Sequence, residues 1–507
     1  MESVSWKLYD NQHDLSGILT LAARSCVDSR ALRPIEYLAA YFSTKCTGDE
    51  IRTLSAHVMF APGGCRVLRI ILRLLNGMEV QSSALLSASQ ELGDSLVEHT
   101  VDPAVIHEVL QESYFPRLVP CRACDQRQFD EILSRVAATP DLPNVGAAVV
   151  HALSVVASAA ASRCTSTPAF QYLRNTFGLL TDVETFSMPQ LCIDFFGPEN
   201  VATARVALKS VLILPCMPNG TVSHEVMQKI FAAFNHFRKV HNAATRSDGS
   251  LVFSTFDNIT DAINLADEVL RAVELRPQTD VCLGLRLAAP ATRTQKEAKD
   301  GGEVFYSMFP GEQDITGSQL AEYVREQVQA SANLVVYVED THCDVDTIGL
   351  RRLHATIGGT AVFSGYDLYR RSKYEKVEQG LDELWTSNVV LEASAIGSLS
   401  ALCDNVRMVR RHEGCTIALA PQSLMHNVAF AVHLAVGVGA RFLCVGGLMD
   451  VVQCEVVSQY LYVQDELEQS RLLLEEAPKP PCAVLPDAPT DTVPEIKRRL
   501  DKKKRKK

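Results

Sequence analysis

Short apolar runs alternate with amphipathic helical segments through the second half of the chain. The apolar runs read SVLILP, LVFST, VCLGLRLAA, LVVYVED, TAVFSG, NVVLEA, TIALAP and FLCVGG. Near-continuous apolar strands separated by helices with a period of 3.6 residues are typical of a parallel sheet covered on both faces. This succession predicts an α/β fold in which eight strands close into a (β/α)8 barrel over residues 186–470.

The residues ahead of the barrel follow a different pattern. IRTLSAHVMFAPGGCRVLRI, which begins at Ile51, reads as two β-rich runs around a Pro-Gly-Gly turn, and helical stretches follow it. This order predicts an α+β domain over residues 51–185. The most apolar helical segment, 149–161, is short and carries His and Ser, so we expect no membrane span and no membrane partner.

The first 47 residues read as two short amphipathic helices. The apolar positions that recur at helical spacing are Leu15, Ile18, Leu19, Ile35, Leu38 and Phe42. Two helices of this length cannot bury their apolar stripes alone. We therefore expect residues 1–47 to pair with a second copy, giving a homodimer, or with another chain; a helical hairpin packed on the main body is the alternative.

Composition and cysteine use indicate the compartment. The chain is 47% hydrophobic and 21% charged, which is ordinary for a soluble globular protein. Its 15 cysteines are scattered, which fits a reducing compartment and a cytosolic or nuclear setting. Cys121 and Cys124 form a Cys-x-x-Cys pair without a second ligand pair, so we interpret them as two thiols of a helix.

The last residues of the sequence are strongly basic, although the chain as a whole is acidic. The net charge is -11, which argues against a general nucleic-acid binder, yet a Pro-rich stretch leads into IKRRLDKKKRKK. Residues 471–507 are therefore predicted to be a disordered basic tail. Lys502–Lys507 suit nuclear import or binding to an acidic polymer such as nucleic acid or the acidic tails of tubulin, and the sequence does not choose among these.

Polar residues stand at the ends of several predicted barrel strands. In a (β/α)8 barrel the side chains at the C-terminal strand ends line the site. The residues at these ends are Arg286, Glu339, Asp340, Tyr366, Asp367, Glu392, Gln422 and Cys444. Glu392 draws attention because a carboxylate at the end of a buried strand usually belongs to a site; a solvent-facing position on the barrel rim is the alternative.

Several segments resemble enolase, phosphopyruvate hydratase. NVVLEASAIGSLSAL, AFAVHLAVGVGARFLCVGGLMD and SQYLYVQDELEQ resemble its C-terminal half, while the hairpin from Ile51 and VGAAVVHALSVVASAA resemble its capping domain. The resemblance runs from about Ile51 to Glu468. It implies an enolase-like barrel with an N-terminal α+β capping domain, and a lyase chemistry that needs a base, magnesium and a general acid.

A second resemblance concerns the N-terminal helices. RPIEYLAAYF, in the second helix, resembles the docking-and-dimerisation helices of the kinase regulatory-subunit (RIIα/DPY-type) family. Such modules form a dimeric four-helix bundle that grips an amphipathic helix of a scaffold protein. The resemblance implies the same use for residues 1–47.

The chain departs from the enolase pattern at nearly every position to which the resemblance assigns chemistry. Glu392 stands in place of the lysine base, and Arg286 and Tyr366 replace two of three magnesium ligands, leaving Glu339. The other degenerate positions are Val201, Ser210, Val252, Gln422 and Cys444, and Ser423 is a remnant of the substrate clamp. Because an arginine repels a metal ion, we expect no bound cofactor.

The resemblance leaves two functions open. The first is a catalytically inactive enolase-like protein, a pseudoenzyme, that acts as a structural or scaffold-binding component; it resembles the enolase-like proteins of motile flagella, which implies a cytoplasmic protein of a cilium or flagellum axoneme. The second is a magnesium-dependent phosphopyruvate hydratase, or a lyase of altered chemistry. Without metal, clustered carboxylates need partners, so we expect Arg286 to pair with Glu339, and Glu392 with Arg286 or a nearby donor.

Overall fold

A computed structural model describes most of the 507-residue chain. The described residues are 14–28, 33–45, 48–60, 66–86, 102–179, 184–201, 204–294, 304–309, 311–357, 359–369, 374–420 and 429–474. The predictions for Gln422, Ser423 and the tail beyond residue 474 therefore lie outside the described residues.

Two helices stand at the N-terminal end, as the apolar spacing predicts. They are α1 (Leu15–Asp28) and α2 (Pro34–Lys45). They pack against each other, and Ser25 Oγ lies 2.8 Å from Tyr37 Oη across the pair. Much of the apolar stripe stays exposed in the single chain, since Ile35 is 84% exposed. The use of this pair as a docking module stays a prediction.

An antiparallel sheet follows the helices. Its strands are β1 (Ile51–Phe60), β2 (Arg66–Leu74) and β3 (Glu79–Leu85), paired in that order. The β1–β2 pair agrees with the predicted hairpin, whereas the sequence did not single out β3. Leu68, Ile70 and Leu72 alternate along β2 and are fully buried, so one face of the sheet contributes to the core.

Helices pack against the sheet and lead into the barrel. They are α3 (Pro103–Val109), a π-helical turn (Leu110–Tyr114), α4 (Phe115–Leu118), α5 (Gln126–Ala137), α6 (Ala147–Cys164) and α7 (Ala169–Phe177). Cys121 and Cys124 lie in the turn between α4 and α5, so the expectation that they belong to a helix was wrong.

Helix α6 is the core helix of this region. It is 18 residues long, longer than the apolar segment 149–161 suggested, and by length and composition it is one described helix that could cross a membrane. However, 72% of that window is buried inside the protein. Burial of this kind is typical of the central helix of a folded domain, which passes the same length test.

Eight strands of the described chain close into a barrel. They are β4 (Gln190–Gly197), β5 (Leu208–Pro215), β7 (Val281–Leu287), β10 (Val335–Glu339), β11 (Val362–Gly365), β12 (Asn388–Glu392), β13 (Thr416–Ala420) and β14 (Phe442–Val445), in that order around the barrel. Pairing of β14 with β4 closes it. Three two-residue strands lie outside, namely β6 (Leu251–Val252), β8 (Phe305–Tyr306) and β9 (Ile315–Thr316). The predicted barrel is thus present.

The barrel differs from the predicted one in its first strands. Strand β4 was not recognised, and LVFST, which had been counted as a barrel strand, contributes only the short β6, paired with β4. Strand β5 is antiparallel to both β4 and β7. The reason is that residues 198–207 are too few for the crossover of about a dozen or more residues that a parallel connection needs. The expectation of an all-parallel barrel was therefore wrong.

Helices cover the outside of the barrel. They are α8 (His224–His241), α9 (Ile259–Ala272), α10 (Ala289–Thr292), α11 (Gly317–Ala330), α12 (Thr347–Ile357), α13 (Tyr374–Asp382), α14 (Ala393–Ile396), α15 (Leu399–Arg411), α16 (Ala429–Gly437) and α17 (Val451–Gln469). Most of these are amphipathic, with one buried face, as in α9, where Ala262, Ile263 and Ala266 are buried.

A buried carboxyl joins the N-terminal region to the barrel. Asp130 of α5 accepts hydrogen bonds from Gln126 Nε2 at 2.9 Å and from Ser154 Oγ of α6 at 2.6 Å. It also accepts from the backbone N and the hydroxyl of Ser400 in α15, at 2.9 and 2.7 Å. Burial raises the pKa of Asp130, and these hydrogen bonds oppose that shift. The contact fixes α15, and with it the end of β12, against the N-terminal helices.

Candidate functional site

A buried ion triad joins side chains from three barrel strands, β4, β7 and β10. Arg286 stands opposite Glu339 in the register of β7 and β10. Its Nε donates to Glu339, and its Nη1 donates to both carboxylate oxygens of Asp194 in β4, at 2.8 and 2.7 Å. The expected pairing of Arg286 with Glu339 is therefore present.

The triad is almost sealed from water. The side chains of Arg286, Asp194 and Glu339 are 10%, 11% and 0% exposed. Burial opposes the charge on the guanidinium, but the carboxylates of Asp194 and Glu339 outweigh it and raise the pKa of Arg286 well above its usual value. Arg286 is thus a permanent cation held between two carboxylates.

Asp194 is a site residue that the sequence reasoning missed. It lies in QLCIDFFG, a run in which every residue after the first is buried. A lone carboxylate in such a run signals a buried charge that needs a partner. That signal went unused because the run itself was not recognised as a strand.

A chain of hydrogen bonds supports Glu339 from inside the barrel. Tyr337 Oη donates to Glu339 Oε2 and lies 2.9 Å from Ser364 Oγ. Asn388 Nδ2 donates to Ser364 Oγ at 2.7 Å, and Thr416 Oγ1 donates to Asn388 Oδ1 at 2.8 Å. These partners come from four strands, so the network fixes one arrangement of the barrel interior.

Glu392 is buried, with 6% of its surface exposed. Tyr366 Oη donates to its Oε2 at 3.0 Å, and Ser394 Oγ donates to its Oε1 at 3.2 Å. The expectation that Glu392 finds a nearby donor is met by these two hydroxyls. The alternative of a solvent-facing residue on the barrel rim was wrong.

Asp340 is a fully buried carboxyl directly after β10. Its Oδ1 accepts from the backbone N of Tyr366 at 2.7 Å and of Asp367 at 2.9 Å, while its Oδ2 has no hydrogen-bond partner among the described residues. Burial first, and then the charges of Asp367 and Glu339, raise the pKa of Asp340 well above its usual value. A carboxyl with a raised pKa holds its proton more readily, as a general acid does.

Two cations flank the ring of Tyr366. The guanidinium carbon of Arg286 and Nζ of Lys209 each lie 5.8 Å from its centroid. Cations at this distance from an aromatic ring attract its electron-rich face. Lys209, in β5, is a second residue of this site that the sequence reasoning did not name.

The structure places the other predicted positions around the same barrel or away from its centre. Ser210 is buried in β5, and its hydroxyl donates to the carbonyl of Val211 at 3.2 Å. Cys444 is buried in β14, where burial raises the pKa of its thiol. Val201 and Val252 are half-buried, and their side chains have no group that could act as an acid, a base or a ligand. The polar cluster of the site thus consists of Asp194, Lys209, Arg286, Glu339, Asp340, Tyr366 and Glu392.

The residues present do not fit a magnesium ion at the position that the resemblance implies. A guanidinium already contacts both Asp194 and Glu339, and magnesium needs oxygen ligands around it without a competing cation. Tyr366 directs its hydroxyl to Glu392. Within the described ranges, no group of three or more His, Cys, Asp or Glu residues is arranged to hold a metal ion.

Comparison with known proteins supports an enolase-like family. The chain is 25% identical to an enolase of Haloquadratum walsbyi over 350 residues, which are 68% of this chain and 82% of that enolase. It is 21% identical to an enolase of Mycoplasma pneumoniae over 367 residues, which are 69% of this chain and 79% of that protein. No family model matches the chain. These similarities and the closed barrel both agree with an enolase-like fold.

Proposed function

We propose that this enolase-like chain is catalytically inactive and acts as a structural or scaffold-binding component. The observation that carries the proposal is the triad, because Arg286 contacts Asp194 and Glu339 where magnesium would need carboxylates for itself. A guanidinium and a divalent cation cannot share these two carboxylates without strong repulsion in a buried site. The protein then works without magnesium or another cofactor.

The residue that stands in place of the catalytic lysine supports the same proposal. Glu392 is an acceptor for two hydroxyl groups, and its negative charge repels an anionic phosphorylated acid. A carboxylate also has a much lower ordinary pKa than the lysine that the resemblance implies. Glu392 is therefore a poor base for taking a weakly acidic carbon-bound proton.

Restoring the lysine alone is expected to give no phosphopyruvate hydratase activity. Glu392→Lys supplies an amine, but the charge that develops on the substrate still lacks a metal, and stabilising that charge is usually the largest catalytic term. The measurement is absorbance of phosphoenolpyruvate formed from 2-phosphoglycerate with magnesium present. A matched Glu392→Gln variant controls for loss of the carboxylate, and turnover by Glu392→Lys above that control would contradict the proposal.

An active lyase is the second candidate. The relatives that carry the similarity are named enolases. The buried carboxyl of Asp340 also favours this candidate, because a carboxyl with a raised pKa at the end of a barrel strand suits proton transfer. In that case the chain would be a magnesium-dependent phosphopyruvate hydratase, or a lyase of altered chemistry that uses its own carboxyl groups.

We propose further that α1 and α2 form a docking module. The exposed apolar residues Ile18, Leu19 and Ile35 support this, because 43%, 47% and 84% of their surfaces face solvent in the single chain. A second copy would cover this stripe and make the chain a homodimer. The groove between the copies would then accept an amphipathic helix of a scaffold or axonemal protein.

Leu38→Asp is expected to abolish pairing through α1 and α2. A buried leucine contributes about 1.5–3 kcal/mol, and the new carboxylate would also have to lose its water. The measurement is sedimentation of the full chain and of residues 1–47. Thr20→Asp adds the same charge at an exposed position on the other side of α1 and should leave pairing intact. A monomeric wild-type segment, together with normal localisation of the Leu38 variant in a ciliated cell, would overturn the docking proposal.

We also propose a cytoplasmic location at the axoneme of a cilium or flagellum. The resemblance to flagellar enolase-like proteins supports it. So does the basic end of the chain, Lys502–Lys507, whose charge suits an acidic polymer such as the tails of tubulin. Nuclear import is the other use that this basic sequence suits.

A further inference from the structure

Two cysteine thiols lie in contact at the opposite end of the barrel from the ion triad. Cys282 is the second residue of β7, and Cys216 directly follows the antiparallel β5. Because Leu214 pairs with Cys282, Cys216 points to the same face two residues further on. The two Sγ atoms are 3.8 Å apart. Arg286 lies four residues along β7, about 13 Å away at the rise of a strand.

Neither cysteine of this pair is fully buried. Cys216 and Cys282 are both half-buried, whereas Cys192, Cys403 and Cys444 are buried. The backbone N of Cys216 donates to the carbonyl of Asp280 at 2.8 Å, which keeps the end of β5 beside β7. The sheet therefore holds the two cysteines together.

The contact shifts the pKa values of the two thiols in opposite directions. Either sulfur can be the donor in this contact, which lowers the pKa of Cys282 and raises the pKa of Cys216. The thiolate is the form of cysteine that attacks oxidants. The pair can therefore supply an attacking sulfur and a neighbouring thiol that resolves its oxidised form.

We propose that Cys216 and Cys282 form a peroxide-reactive dithiol that closes into a disulfide. The Cys282 thiolate attacks one oxygen of hydrogen peroxide, the O–O bond breaks, and hydroxide leaves, which gives a sulfenic acid on Cys282. The sulfur of Cys216 then attacks the sulfenic sulfur and loses its proton, and the S–O bond breaks to release water. The two thiols lose two electrons in total, and the peroxide is reduced to water.

Closing the bond requires movement at Cys216. The sulfurs must approach from 3.8 Å to about 2.05 Å, and Cys216 is a diagonal rather than a direct neighbour of Cys282 in the register of β5 and β7. Cys216 lies beyond the last residue of β5 and ahead of α8, so its backbone can shift without breaking the barrel. The closed disulfide would tie together the two strands that carry Lys209 and Arg286 at their other ends.

Peptide mass spectrometry of the reduced full-length protein after treatment with hydrogen peroxide tests the proposal. We expect a disulfide that joins the peptides of Cys216 and Cys282 and that dithiothreitol reverses. Cys415 is the internal control, because it is also half-buried but burial raises its pKa to about 11. Cys282 should be oxidised before Cys415, because the thiolate is the reactive form of cysteine.

Two single variants separate the roles of the sulfurs. Cys216→Ser should leave a sulfenic acid on Cys282 that dimedone traps, and Cys282→Ser should abolish the disulfide. The proposal is overturned if no disulfide forms between these residues, if Cys415 reacts as fast as Cys282, or if dimedone does not label Cys282 in the Cys216 variant.

Discussion

Replacing Arg286 by alanine is expected to lower the free energy of unfolding by about 3–5 kcal/mol. Arg286 is the cation between Asp194 and Glu339, and the side chains of all three are nearly inaccessible to water. Without the guanidinium, two carboxylates would remain buried close together with no positive partner. The protein would then have to protonate them or admit water, and either response costs stability.

Urea denaturation of the full chain measures this effect. Arg135→Ala is the matched control, because Arg135 pairs with Glu131 on an exposed helix face and such pairs contribute about 0.3–0.5 kcal/mol. Arg286→Met combined with Asp194→Asn and Glu339→Gln should recover part of the lost free energy of unfolding, since no buried charge remains unpaired. A loss for Arg286→Ala no larger than for Arg135→Ala would show that the triad contributes little to the fold.

Replacing Asp130 by alanine is expected to cost about 2–4 kcal/mol. The carboxyl accepts four hydrogen bonds, two of them from Ser400 on the barrel side. Its removal leaves the buried donors of Gln126, Ser154 and Ser400 without this acceptor. The junction between the N-terminal helices and the barrel should therefore loosen first.

Hydrogen exchange and urea denaturation together test this expectation. Exchange should increase at the start of α15 and along α5 before it increases in the barrel strands. Glu131→Ala alters the adjacent, exposed residue of the same helix and should change stability by no more than about 0.5 kcal/mol. Equal stability of the two variants would mean that Asp130 does not join the two regions.

Much of the barrel was predictable because its strands are continuous apolar runs. The pairing of Arg286 with Glu339 was also predictable, since opposite charges at the ends of neighbouring buried strands need each other. The direction of β5 was not recognised, although the short connection 198–207 carried the information. The error came from missing β4, because the length of the connection matters only once the strand before it is known.

Asp194 and the interior network show where sequence reasoning stopped. Tyr337, Ser364 and Asn388 occupy inward positions on three different strands, and their hydrogen bonds depend on the barrel register. Residues that far apart in sequence give no local signal of their contact. The same holds for Cys216 and Cys282, which meet only because β5 runs antiparallel to β7.

Isothermal titration calorimetry of the purified full chain with magnesium, followed by 2-phosphoglycerate, tests the central claim most directly. An active enolase in the same buffer is the positive control. Because Arg286 already pairs with Asp194 and Glu339, we predict no heat beyond dilution in either titration. Saturable magnesium binding followed by binding of 2-phosphoglycerate would contradict the account and favour an active lyase.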